Sequence, residues 1–188
     1  MHLLKEEEIR KSLIKINKKK YFEDWFNIVK PILLNKEFQV RRLFLHHKES
    51  VWDHSIDVSY KSYVLARKFK ASTYKASIGG LLHDFYPHCW RYSKQIEQYD
   101  SSYLDGLYEK KKFFKKHGFV HAREAKENYI KYFSELEDEV ITDCIEKHMF
   151  PINIKLPKYR ESWIVTISDK LDSLLDMPII VFYLFKKG

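Results

Sequence analysis

Glycine and proline are scarce in this chain, five of each in 188 residues, and cysteine is scarcer still, at two. A β-rich fold needs frequent turn residues, so the first scarcity argues against a sandwich or barrel and predicts long helices with few tight turns. Cys89 and Cys144 have neither a zinc-type spacing nor the pairs of a disulfide framework, which suits a reducing, cytoplasmic setting. No apolar run reaches the roughly 20 residues of a membrane span. The longest late stretch, 177–185, is too short for one and reads as a buried terminal helix. The start, Met1-His2-Leu3-Leu4-Lys5-Glu6, lacks the apolar centre of a signal peptide. A soluble protein is expected.

What the chain does hold is enough apolar material for a real core, 45% of residues, with 32% charged to keep the rest solvated. Its length fits one domain over residues 1–188. The formal charge of +8 fits a nucleic-acid surface or an enzyme that attracts small anions. The lysines are spread out, with short runs at Lys18-Lys19-Lys20 and Lys110-Lys111-Lys112 and acidic residues between, so a solvated basic face is favoured over nucleic-acid binding. The aromatic stripes read as core rather than as a platform for stacked bases.

Helical periodicity predicts helices over 5–19, 21–34, 51–69, 76–82, 103–116, 121–133, 137–148 and 159–175. Pro31 kinks or ends the second, Gly118 separates 103–116 from the next, and 87–103 reads as irregular. The pattern is that of an all-α bundle with short connections.

Nine histidines are many for this length, and their placement carries the chemistry. His54, His83, Asp84, His121, His148 and Asp169 lie on, or at the ends of, different predicted helices, apart from the adjacent pair. A bundle builds a metal site in this way, with side chains from several helices converging inward. His83-Asp84 follows the apolar stretch Ala76 to Leu82, so both polar groups are expected to enter the interior. A buried carboxylate beside a buried imidazole is costly without a partner, and a cation removes that cost. Side chains of successive helical residues diverge by about 100°, so His83 can face one metal while Asp84 reaches between two. Imidazole with carboxylate suits manganese, iron, cobalt, nickel or magnesium rather than thiolate-seeking ions.

The order His54, His83-Asp84, Asp169 resembles the HD-domain metal-dependent phosphohydrolases, and His121 and His148 resemble the further ligands of the six-ligand subset. The surrounding residues match too: Trp52-Asp53-His54-Ser55-Ile56, Leu81-Leu82-His83-Asp84-Phe85, Gly118-Phe119-Val120-His121, Lys147-His148-Met149-Phe150-Pro151 and Ile167-Ser168-Asp169-Lys170. The likeness, to small bacterial HD proteins, covers about 46–175, and the first 40 residues stand as a helical extension without a motif. It implies a single-domain helical bundle of the HD-domain type that binds one or two divalent metals. It further implies hydrolysis of a phosphomonoester, phosphodiester or phosphoanhydride of a nucleotide or another small phosphorylated metabolite.

Roles can be assigned on the same basis. The six residues would hold metal, with Asp84 bridging or orienting the nucleophile and Lys170 neutralising developing charge. Arg123, Lys147 and His47 would meet the phosphate, with His46 as an alternative to His47. His117 competes with His121, and Asp172 with Asp169, each being one turn away or less. No Gly-Tyr-Pro segment follows the His-Asp pair, which argues against the cyclic-dinucleotide branch. Two other readings stay open: a catalytically silent nucleotide sensor, and a basic nucleic-acid-binding helical domain.

Overall fold

Short polar side chains open most of the helices. Asn35, Ser50, Ser72, Ser93 and Asp138 each accept from a backbone N–H two or three residues ahead, satisfying a donor that the first turn would leave unpaired. In the computed structural model, which describes residues 1–46, 49–105 and 117–176, with the side chains of 117–119 and 174–176 excepted, the elements follow from these caps. They are α1 (Glu6–Ser12), α2 (Phe22–Leu33), α3 (Lys36–Val40), β1 (Leu45–His46), β2 (Glu49–Ser50), α4 (Val51–Lys68), α5 (Thr73–Leu82), α6 (Lys94–Tyr99), α7 (His117–Tyr132), α8 (Glu139–Lys147) and α9 (Arg160–Asp176). Among the described residues the fold is all-α apart from one short antiparallel hairpin, in which Leu45 faces Ser50 and His46 faces Glu49. Among the described residues no helix is long and apolar enough to cross a membrane.

α4 and α5 form the centre, with α9 packed against both, α8 against α5 and α9, and α2 against α5. One cluster of buried side chains runs from Ile9 and Leu13 through Trp25, Phe26 and Phe38 to Leu81, Phe85, Tyr129 and Ile145. The first 40 residues therefore contribute to the main core. Trp25 marks the junction: its ring is fully buried, and its Nε1–H donates to Ser59 Oγ at 3.0 Å. Ser59 in turn donates to the carbonyl of Ser77 at 2.7 Å, so α2, α4 and α5 share one buried polar chain.

Several expectations need correction. The first helix stops at Ser12 rather than running to 19. Ser12 Oγ donates to the Ile9 carbonyl at 2.7 Å, and the chain then turns so that Leu13 and Ile16 enter the core. Pro31 sits inside α2 without ending it. The stretch read as irregular contains α6, which the Ser93 cap could have signalled. α7 begins at His117 and runs through Gly118, whose backbone cost the helix tolerates. The helix expected over 103–116 and the buried terminal helix at 177–185 fall, from residue 106 and residue 177 onward, outside the described residues.

Candidate metal centre

α5 can sit at the centre because two glycines let it approach both neighbours. A Cβ on Gly79 would meet Cys144 Cβ of α8 at 2.6 Å, and one on Gly80 would meet the Ser59 backbone of α4 at 3.0 Å. This double contact brings the C-terminal end of α5 level with that of α8. His83 caps the first helix and His148 the second, and their rings lie 4.9 Å apart, edge to face. Gly79→Ala is expected to cost about 1–3 kcal/mol, since Cys144 Cβ is close to backbone and has little freedom to retreat. Denaturant unfolding checks this, with an unchanged midpoint as the contrary result.

Six predicted residues arrive at one place, and none is more than 6% exposed. His54 comes from α4, His83 and Asp84 from the end of α5, His121 from α7, His148 from α8 and Asp169 from α9. Asn128 of α7 donates to the Phe85 carbonyl at 2.9 Å, which ties that helix to the residue following Asp84. On one side, His54 Nε2 lies 3.2 Å from His83 Nε2 and 3.3 Å from Asp169 Oδ1. On the other, His121 Nε2 lies 3.0 Å from His148 Nε2. Asp84 stands between them. Its Oδ2 is 3.9 and 3.7 Å from the nitrogens of His54 and His83, and its Oδ1 is 3.4 and 3.6 Å from those of His121 and His148.

The protonation pattern of this cluster suits a cation. His83 and His148 each place Nδ1 at 2.8 Å from the carbonyl three residues back, Gly80 and Ile145, and His54 places Nδ1 at 2.6 Å from Asp172 Oδ2. Those acceptors assign the proton to Nδ1, leaving the Nε2 lone pairs turned toward the cluster. Two lone pairs at 3.2 Å, on His54 and His83, need a proton or a metal between them. Asp84 Oδ1, although buried, accepts no hydrogen bond among the described residues, an unsatisfied state that a cation relieves. The α5 and α8 C-termini, the negative ends of their dipoles, also point here.

The acid–base balance agrees. Burial opposes a charged His54, but the carboxylates of Asp169 and Asp172 outweigh it and push the ring up to about 10. The negative field that favours a proton there equally favours a divalent cation. Burial pushes His83 down, and pushes His148 down to about 3 with His83 and His121 adding to the effect, so both are the neutral imidazoles that metals require. Burial also opposes ionisation of Asp84, yet the surrounding imidazoles, His83 and His121 foremost, hold its carboxyl well below the usual range. Asp169 is lowered in the same way, against its burial, by His54 and its other neighbours.

Other expected residues are placed elsewhere. Arg123 points outward, its side chain 64% exposed and 3.8 Å from Glu127, because it lies two residues and about 200° of helix rotation beyond His121. Lys147 turns away to pair with Asp143 one turn earlier. Lys170 does reach the cluster, donating to Asp169 Oδ2 at 2.7 Å and to the His148 carbonyl at 3.2 Å. His47 lies outside the described residues, as does the side chain of His117. His46 stacks on the His54 ring at 4.3 Å with Nδ1 3.6 Å from Asp84 Oδ2. Asp172, the rival to Asp169, joins His54 Nδ1 to Lys61. The signal for it was its spacing, one turn beyond Asp169 and hence on the same face of α9.

Donor atoms that could share an ion include the trios His54–His83–Asp169, His83–Asp84–His148 and His46–His54–Asp84. The family model of the HD domain matches residues 51–174, a span that contains all six converging residues. Searches of curated proteins and of solved structures returned no match.

Proposed function

The chain belongs to the HD domain family, and from that premise we propose that it is a metal-dependent phosphohydrolase acting on a small phosphorylated metabolite of the nucleotide class. The observation that carries the reading is Asp84, a buried carboxylate between two imidazole groups with an oxygen that accepts no hydrogen bond among the described residues. His54, His83, Asp169 and one oxygen of Asp84 would hold one divalent cation, and His121, His148 and the other oxygen a second. Manganese, iron, cobalt, nickel and magnesium all accept this donor set. Such cations, when bound, activate water and polarise the phosphoryl group.

The chain's own groups do the rest. Asp84, held ionised, accepts from the attacking water and orients it toward phosphorus. Lys170, with its ammonium beside Asp169, offsets negative charge gathering on the phosphoryl oxygens. The net charge of +8 draws anionic substrates toward the protein. This assigns the hydrolytic role to one domain that includes the N-terminal helices.

A panel of phosphoesters, tested on chelator-treated protein after adding back each metal, examines the reading. Turnover is expected only with metal, and saturating metal is expected to raise the unfolding temperature by about 5–10 °C, the size of mass-action stabilisation for a chain of this length. No metal uptake and no turnover would refute the proposal. Tight nucleotide binding without hydrolysis under every metal would move the chain to the class of silent sensors.

A further inference from the structure

The histidines of the cluster differ in what stands behind them. His83 and His148 rest their Nδ1–H on neutral carbonyls of their own helices. His54 rests its own on a carboxylate, Asp172 Oδ2 at 2.6 Å, and the other oxygen of Asp172 takes the ammonium of Lys61. Asp172 is only 7% exposed, so this contact is shielded from water. Lys61 lies two turns beyond His54 on α4, and Asp172 one turn beyond Asp169 on α9, so the two helices are tied along one edge by His54–Asp169, His54–Asp172 and Lys61–Asp172.

We propose that Asp172 is a positioning residue that acts through His54 to make the His54–His83–Asp169 position the tighter of the two cation positions. The inference rests on the metal-centre reading above. A carboxylate behind an imidazole fixes its tautomer and orientation and increases electron density on the far nitrogen, which raises ligand basicity. A carbonyl fixes the tautomer as well, but its hydrogen bond lacks the charge that strengthens the carboxylate contact. The three rings are thereby backed unequally. One position is backed by a buried anion, while the other includes a ring, His148, backed by the Ile145 carbonyl. Lys61 keeps Asp172 aimed: with one oxygen engaged by the ammonium, the other stays on His54 Nδ1.

The experiment is a titration of the chelator-treated full chain with cobalt(II), followed by visible absorption and calorimetry, on the wild type, Asp172→Asn, Asp172→Ala and Asp172→Glu. Two binding steps are expected in the wild type. In Asp172→Ala the tighter step is expected to weaken about 10–100-fold with the weaker one unchanged, and in Asp172→Asn, which keeps an acceptor without its charge, about 10-fold. Asp172→Glu should recover part of the loss. A purely structural role for Asp172 would instead lower the unfolding temperature of the metal-free chain and weaken both steps alike, and that result overturns the inference. So does an Asp172→Asn protein that binds both equivalents as the wild type does. Should Asp172→Ala fail to fold, the isosteric Asp172→Asn decides. If the wild type takes up cobalt and turns over substrate but the variants titrate normally, this inference alone falls. If the wild type takes up none, the metal-centre reading falls and carries the inference with it.

Discussion

Asp84→Asn is expected to leave the chain folded, reduce metal uptake at both positions and lower phosphoester turnover on the order of 10³-fold, the scale seen when one preorganised electrostatic group is lost. The change is nearly isosteric, so packing around the buried side chain should survive. What changes is charge and polarity. Oδ2 faces His54, His83 and His46, and Oδ1 faces His121 and His148, so an amide would turn N–H donors toward one of those sets. No rotation of the amide supplies an anionic oxygen to both sides. Elemental analysis and turnover on the same preparation check the result, with Arg123→Ala as the comparison. Arg123 is solvated and faces away from the cluster, so its removal should alter turnover little. An Asp84→Asn protein with wild-type metal content and rate would remove the basis of the proposed function.

Trp25→Ala is expected to cost about 3–5 kcal/mol, the range for truncating a large buried aromatic residue. That is a large part of the 5–15 kcal/mol that separates a typical folded domain from its unfolded state. Two losses combine. The ring leaves a cavity among Phe22, Phe26 and Tyr60, whose centroids lie 6.0, 6.4 and 5.7 Å from its own. The Nε1–H no longer reaches Ser59, and the buried chain from Ser59 to the Ser77 carbonyl loses its outer member. For a chain of this length the cost corresponds to a fall of roughly 6–20 °C in unfolding temperature. Calorimetry or circular dichroism reads it directly. A fall of a degree or two would mean that α2 is loosely attached and that the core does not depend on the N-terminal helices.

The fold class and the converging residues were legible because they rest on short-range chemistry. Apolar periodicity marks helices, and polar residues at helix ends beside an apolar run must face something. The order of His54, His83-Asp84, His121, His148 and Asp169 then sufficed for the family. Misplaced residues share one cause: adjacency in sequence is not adjacency on a helix. Arg123 and Lys147 sit two residues and one residue from histidines of the cluster, yet helical rotation carries them to other faces. Asp172 was visible as a rival to Asp169, but its place behind His54 was not, because its partner Lys61 lies 111 residues away and only packing of α4 on α9 joins them. His46 needed the hairpin of β1 and β2, two residues to a strand, too short to leave an alternating pattern. Boundaries shifted where side chains compete for backbone groups, as Ser12 does at the end of α1.

His83 and His148 close their own helices with the same rings whose Nε2 atoms face the cluster. Helix ends ordinarily fray, and a ring held at both nitrogens would prevent its last turn from opening. Occupancy of the centre and the lifetime of those two terminal turns are therefore a single equilibrium. The backbone amides around 80–84 and 145–149 would exchange with solvent hydrogen only as often as the rings let go. Their protection reports the state of the centre without any substrate.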